Sequence, residues 1–289
     1  MNRSFLFVPA DSERKITKAL SSAADALIVD LEDSVAASTR IDARQIAAET
    51  VSGHDNVWVR INPLDSQDAD LDLEAVMPGS PAGIVLPKPE SAADTLELAA
   101  RLDELEKAHG IAEGQTHILP ICTERPEALF ALGGYVDATE RLAGLTWGAE
   151  DLSTAVGATA TRDDQGNWLP PYQLARSMCL FAAAAAAVAA IDTVFTNYRD
   201  LDGLRRYASD ARRDGFSGML AIHPAQVDVI NAAFEPTADE IERAERIIAL
   251  FREKPEAGTL GMDGEMIDRP HLTQAERVIA LANAIKSKQ

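Results

Sequence analysis

Glu124 and Asp151 each follow directly on an apolar run, and one helical crossover separates them. Neighbouring strands of a sheet lie about 4.8 Å apart, so carboxylates at adjacent strand ends can share one cation. Mg2+ is typically held by one or two carboxylates, with water and substrate completing its octahedron. The same acids could instead cap the helices that follow them. The metal reading is the stronger expectation. Arg60 sits inside a strand-like run, Val57-Trp58-Val59-Arg60-Ile61-Asn62. A guanidinium there is costly unless paired, so it bonds either an acid at a neighbouring strand end or a substrate anion, and the sequence favours neither. Lys88, closing Leu86-Pro87-Lys88, has the same status and could also serve as a Schiff-base lysine. Two further acidic clusters end apolar runs: Asp30-Leu31-Glu32-Asp33 and Gly148-Ala149-Glu150-Asp151. No two of the five histidines stand at metal-ligand spacing, so a zinc site is not expected.

These residues need a scaffold that gathers strand ends. Eight apolar segments read as strands: 4–8, 26–30, 57–62, 83–88, 117–123, 142–148, 191–196 and 219–223. Most are unbroken Val, Ile and Leu rather than alternations, as in parallel strands buried on both faces. Helical periodicity separates most of them, over 13–22, 42–50, 91–109, 126–136, 171–188 and 201–214. Eight such units predict a (β/α)8 TIM barrel in residues 1–235, with its chemistry at the strand C-termini. An open doubly wound sheet is the alternative, but no glycine fingerprint for a dinucleotide follows any strand. Residues 236–289 form a C-terminal helical extension: Thr237 is placed to cap a helix over 237–254, a glycine-punctuated loop follows, and Pro270 opens a last helix. This is more than a barrel needs to close. It is expected to pack on a neighbouring subunit or cover the barrel mouth.

The formal net charge is −19, which repels nucleic-acid phosphates and anionic lipid and makes both poor partner expectations. An enzyme of anionic substrates would have to concentrate cations locally. No apolar stretch approaches the roughly 20 residues of a membrane span. With two cysteines, Cys122 and Cys179, a disulfide framework is not expected either, and a cytoplasmic protein is.

The strand ends taken together resemble the citrate lyase β-subunit-like family, within the larger group of HpcH/HpaI aldolases and malyl-CoA lyases. The resemblance spans nearly the whole chain. It rests on Arg3-Ser4-Phe5-Leu6-Phe7-Val8-Pro9, Asp30-Leu31-Glu32-Asp33, Val59-Arg60-Ile61-Asn62, Leu86-Pro87-Lys88 and Gly148-Ala149-Glu150-Asp151-Leu152, then on Ile191–Phe195, Ala221-Ile222-His223-Pro224 and Asp263–Asp268. It implies a Mg2+-dependent lyase that cleaves or forms 3-hydroxyacyl-CoA thioesters such as citramalyl-, malyl- or citryl-CoA, giving acetyl-CoA and a 2-oxo acid. A thioesterase outcome, a citrate lyase subunit acting on an acyl carrier, or a non-catalytic acyl-CoA-binding barrel are the alternatives. By the resemblance Glu124 and Asp151 match the metal-binding carboxylates and Arg60 the substrate-anion arginine. Glu32, Asp33, Lys88, Ala149 and Glu150 are expected to complete the substrate site. Asp268, otherwise a helix cap before Pro270, matches a catalytic aspartate that arrives from a neighbouring subunit. The implied assembly is a homo-oligomer, a trimer or a multiple of it. Arg125, next to Glu124, departs from the small residue often found there. It is expected to face solvent or to help hold a CoA phosphate.

Overall fold

Eight short parallel strands carry the architecture of the computed structural model, which describes residues 2–286. They are β1 (Ser4–Pro9), β2 (Ala26–Asp30), β3 (Val57–Arg60), β4 (Gly83–Leu86), β5 (His117–Pro120), β6 (Gly144–Thr146), β7 (Ala189–Asp192) and β8 (Gly218–Ala221). They pair in the order β5-β4-β3-β2-β1-β8-β7-β6. Bridges Ile118–Leu142 and Ile121–Thr146 join the two outer strands, so the sheet closes into a (β/α)8 barrel. β2, β4 and β8 are buried at every position, as their unbroken apolar runs require. One buried cluster, including Phe5, Ile28, Trp58, Val85, Leu119, Ile191 and Leu220, draws on seven of the eight strands.

The strands from β3 to β8 end earlier than their apolar runs suggest, while β2 matches its run and β1 extends one residue further. β4 stops at Leu86 before Pro87, and β3 stops at Arg60, two residues before Asn62. The residues beyond the ladder are the polar ones, and they turn into the loops that carry the chemistry. Around the barrel lie α1 (Glu13–Leu20), α2 (Arg40–Ser52), α3 (Asp68–Val76), α4 (Ala92–His109), α5 (Pro126–Ala131), α6 (Ala149–Ala155), α7 (Pro170–Ala185), α8 (Leu201–Asp214) and α9 (Pro224–Phe234). α3 and α6 have no counterpart in the helical periodicity. Both are short, and each opens with acidic residues that suit a helix N-terminus: Asp68 and Asp70 in α3, Glu150 and Asp151 in α6.

The chain divides into two compact units, residues 2–233 and residues 234 onward. In the second, α10 (Ala238–Glu253) begins with a full capping box: Glu240 N–H donates to Thr237 Oγ1 (3.2 Å), and Thr237 N–H donates to Glu240 Oε2 (2.7 Å). The segment expected to be a glycine-rich loop is instead a β-hairpin, β9 (Thr259–Met262) and β10 (Glu265–Asp268). Its turn is Asp263-Gly264, both in the left-handed region with φ of 54° and 84°. That is what a two-residue hairpin requires. α11 (Arg269–Lys286) packs with α10 and the hairpin around Ala244, Ile247, Phe251, Met262, Ile267 and Ala275. No helix among the described residues is long and apolar enough to cross a membrane.

Candidate metal and substrate site at the barrel mouth

The ends of β2, β3, β4, β5 and β6 bring Asp30, Glu32, Asp33, Arg60, Lys88, Glu124 and Asp151 together. Asp30 and Arg60 occupy paired positions in the β2–β3 register, and their side chains meet in a two-pronged ion pair. Arg60 Nε and Nη2 each donate to an Asp30 oxygen at 2.7 Å. Backbone N–H groups of Glu32 and Ser34 add two more bonds to the same carboxylate. Burial pushes the Asp30 carboxyl up, but the Arg60 hydrogen bond and charge outweigh it and hold Asp30 below its ordinary value. The strand arginine is therefore bound to a barrel-mouth acid, and its third nitrogen, Nη1, lies 3.0 Å from Glu32 Oε2. The aromatic face of Phe7 supports the guanidinium, with 4.8 Å from Cζ to the ring centroid.

Glu124 is 4% exposed, and its Oε2 accepts the backbone N–H of Lys88 at 2.6 Å. Lys88 itself has φ of 52°, a left-handed conformation costly for a residue with a Cβ. Burial, then the charges of Asp151 and Glu32, drive the Glu124 carboxyl well above the ordinary range. Glu32 is raised as well, by burial first, with Arg60 and Lys88 offsetting part of it. The Lys88 ammonium sits among these acids, 2.5 Å from Glu32 Oε1, 3.1 Å from Asp33 Oδ1 and 3.4 Å from Asp151 Oδ1. Burial opposes its charge, but Glu32, Asp151 and Asp33 raise its pKa. A Schiff-base lysine must present a neutral amine, whereas this ammonium is held in ion pairs with three carboxylates.

The cluster suits a hard divalent cation. Its donors are all carboxylate oxygens, and two cations, Arg60 and Lys88, face five acids. Glu32 Oε2 is buried without a hydrogen bond, although Arg60 is near enough to form an ion pair. Among the described residues no three or more His, Cys, Asp or Glu side chains form a ready metal cage. Mg2+ needs no such cage, since it is typically held by one or two carboxylates with water and substrate completing its shell.

A cavity of about 310 Å3 opens beside these groups. Asp33, Arg60, Glu124, Ala149, Glu150 and Asp151 line it, as do Trp147, Thr193 and Phe7. Lys88 lines an adjoining cleft instead, with Arg125, Asp65 and Glu90. Arg125 is paired with Asp65 (2.8 Å) and Glu90 (2.5 Å). Asn62, at the end of the third apolar run, bonds Asp72 and the Leu31 carbonyl, tying a loop to α3. Asp268 belongs to the C-terminal unit, where its Oδ1 lies 2.5 Å from His271 Nδ1, and the His271 hydrogen bond holds its carboxyl below the ordinary value. Two residues join the site that had no assigned role in the sequence: Asp30, known there only as part of an acidic strand end, and Trp147. Asp30 is the register partner of a strand arginine, which was a usable signal. Trp147 faces the cavity while its Nε1–H donates to buried Asp192 at 2.6 Å, which only the fold reveals.

A closed parallel barrel with a carboxylate-rich mouth at its strand C-termini defines the class as a (β/α)8-barrel protein. The chain belongs to the HpcH/HpaI aldolase/citrate lyase family, whose model matches residues 3–224. It is 33% identical over 290 residues to the citrate lyase subunit beta of Leuconostoc mesenteroides subsp. cremoris, covering 98% of this chain and 94% of the relative. It is 33% identical over 306 residues to the mitochondrial citramalyl-CoA lyase of Rattus norvegicus, covering 99% and 87%. The crystal structure of CitE from Mycobacterium tuberculosis in complex with magnesium, acetoacetate and coenzyme A superposes with a TM-score of 0.81 at 33% identity, covering 98% of both chains.

Proposed function

We propose that the protein is a Mg2+-dependent carbon–carbon lyase that cleaves, or forms, 3-hydroxyacyl-CoA thioesters such as citramalyl-, malyl- or citryl-CoA. The products of cleavage are acetyl-CoA and a 2-oxo acid. The observation that carries this reading is the convergence of Glu124 and Asp151 with Arg60 on one cavity at the strand C-termini. The citramalyl-CoA lyase relative and the magnesium and coenzyme A complex of CitE support it.

Glu124 and Asp151 would hold the ion, which when bound would supply Lewis acidity to the hydroxyl oxygen that becomes the carbonyl of the 2-oxo acid as the neighbouring C–C bond breaks. Asp30 fixes the Arg60 fork, so that Nη1 is the nitrogen turned toward Glu32 and available to a substrate carboxylate. Ala149 and Glu150, at the start of α6, contribute cavity wall to the same substrate. Glu32 and Asp33 set the charge around it. Asp268 is assigned the proton transfer at the acetyl-CoA carbon, supplied by the C-terminal segment of a neighbouring copy in a homotrimer.

A second cleft of about 430 Å3, lined by Arg14, Lys15, Lys18 and His223, concentrates cations on an otherwise acidic chain and is assigned to CoA phosphates. The test is a mass-spectrometric product assay with each of the three thioesters, in Mg2+ and in EDTA. Metal-dependent release of acetyl-CoA with a 2-oxo acid is expected. Free CoA with a hydroxy acid would indicate a thioesterase. Failure on all three would overturn the stand-alone reading in favour of a carrier-bound citrate lyase subunit.

A further inference from the structure

We propose that Lys88 is a resident counter-cation of the carboxylate cluster, which a divalent ion displaces into the adjoining acidic cleft. The inference rests on the metal reading above and adds a residue that sets the metal affinity. The Lys88 ammonium stands within 3.4 Å of Glu32, Asp33 and Asp151, and the N–H of the same residue holds Glu124. One lysine thus contacts both assigned ligands and their two acidic neighbours.

Backbone and side chain have different freedoms here. The Lys88 backbone is fixed between Pro87 and Pro89 in the left-handed region, with its N–H committed to buried Glu124. The ammonium rides on a flexible four-carbon stem and acts as a movable point charge. An ammonium and a divalent cation cannot share Asp151 without direct repulsion at a few ångströms.

The place for the displaced charge is on the same residue's other side. Lys88 also lines a cleft of about 320 Å3 with Asp65, Glu90, Asp94, Glu97 and Arg125. Arg125 pairs with Asp65 and Glu90 and Arg101 with Glu97, so four acids against these two cations still leave that cleft negative, able to receive the ammonium. The cluster thereby avoids uncompensated buried charge before the ion arrives, and releases its internal cation when the ion takes over.

The test is calorimetric Mg2+ titration at fixed ionic strength. Removing the competing charge in Lys88→Gln, a neutral side chain one atom shorter than lysine, is expected to tighten Mg2+ binding about tenfold. Lys88→Arg keeps the charge and is expected to stay within about threefold of wild type. Unchanged or weaker binding by Lys88→Gln would overturn the counter-cation role. A second measurement needs no variant: limited acetylation followed by peptide mapping should label Lys88 several-fold faster in Mg2+ than in EDTA, and equal or slower labelling would contradict displacement. Glu124→Gln separates the two levels. If it binds Mg2+ like wild type, the metal reading itself fails. If it loses Mg2+ while Lys88→Gln matches wild type, the role of Lys88 alone fails.

Discussion

Gly148→Ala isolates the contribution of one carboxylate position. Gly148 has φ of −119° and ψ of 120°, which any L-residue adopts, so an alanine meets no backbone penalty. The obstacle is contact: an added Cβ would lie 2.6 Å from Glu124 Cγ, 3.1 Å from Oε1 and 3.2 Å from Cδ. Reaching an ordinary carbon–carbon contact requires a displacement of about 0.9 Å. Glu124 cannot simply swing away, because it is buried and its Oε2 is held by the Lys88 N–H. Overpacking of this kind costs about 1–3 kcal/mol. If half or more of it falls on the ligand position, Mg2+ affinity drops roughly 10-fold, and up to about 100-fold for the whole. Calorimetric titration with Mg2+ measures the loss, and thermal unfolding in EDTA checks the fold, with a Tm drop of a few degrees expected. Wild-type Mg2+ affinity and turnover in a folded Gly148→Ala protein would refute the placement of Glu124 as a ligand.

Three other changes probe separate parts of the site and scaffold. Asp268→Ala should leave thioester binding within a few-fold of wild type and cut kcat by about 10²–10⁴; full activity would remove Asp268 from the chemistry. Arg60→Lys keeps the charge but loses the fork held by Asp30, so KM for the 2-oxo acid in the condensation direction should rise at least about tenfold, and an unchanged KM would contradict the carboxylate role. Glu106, 1% exposed, concerns stability: burial opposes its charge, but the Arg141 hydrogen bonds and the N–H groups of Thr116 and Gly114 push its carboxyl down from 4.5 to about 2. A folded-state pKa below the unfolded one stabilises above pH 4.5 and is lost as pH falls toward 2, a contribution of about 3 kcal/mol. The Tm gap between wild type and Glu106→Gln should therefore shrink as pH falls below 4.5; a gap independent of pH would contradict the assignment.

The barrel was legible because buried parallel strands leave unbroken apolar runs, and their polar ends stood out against them. Strand limits were less so, since Ile61-Asn62 and Cys122-Thr123 remain largely buried after the ladder has ended. α3 escaped notice because Asp68, Asp70 and Asp72 break its apolar period while suiting its N-terminal half. The hairpin carried its own signal, Asp263-Gly264, which the flanking glycines obscured. At the site, residue types were readable one strand end at a time. What no single segment states is convergence: that Lys88 on the fourth strand end reaches acids from the second and sixth, or that the glycine before Ala149 is there to clear Glu124. Those follow from closure of the sheet, which brings distant strand ends within a few ångströms.

The most direct test of the metal-centred site is Mg2+ binding by the wild-type protein beside Glu124→Ala and Asp151→Ala. One Mg2+ per barrel in the wild type is expected, with binding lost or weakened by orders of magnitude in both variants while the fold is kept. Undiminished Mg2+ affinity in either variant would contradict the assignment of that carboxylate, and in both would remove the site from the ends of β5 and β6.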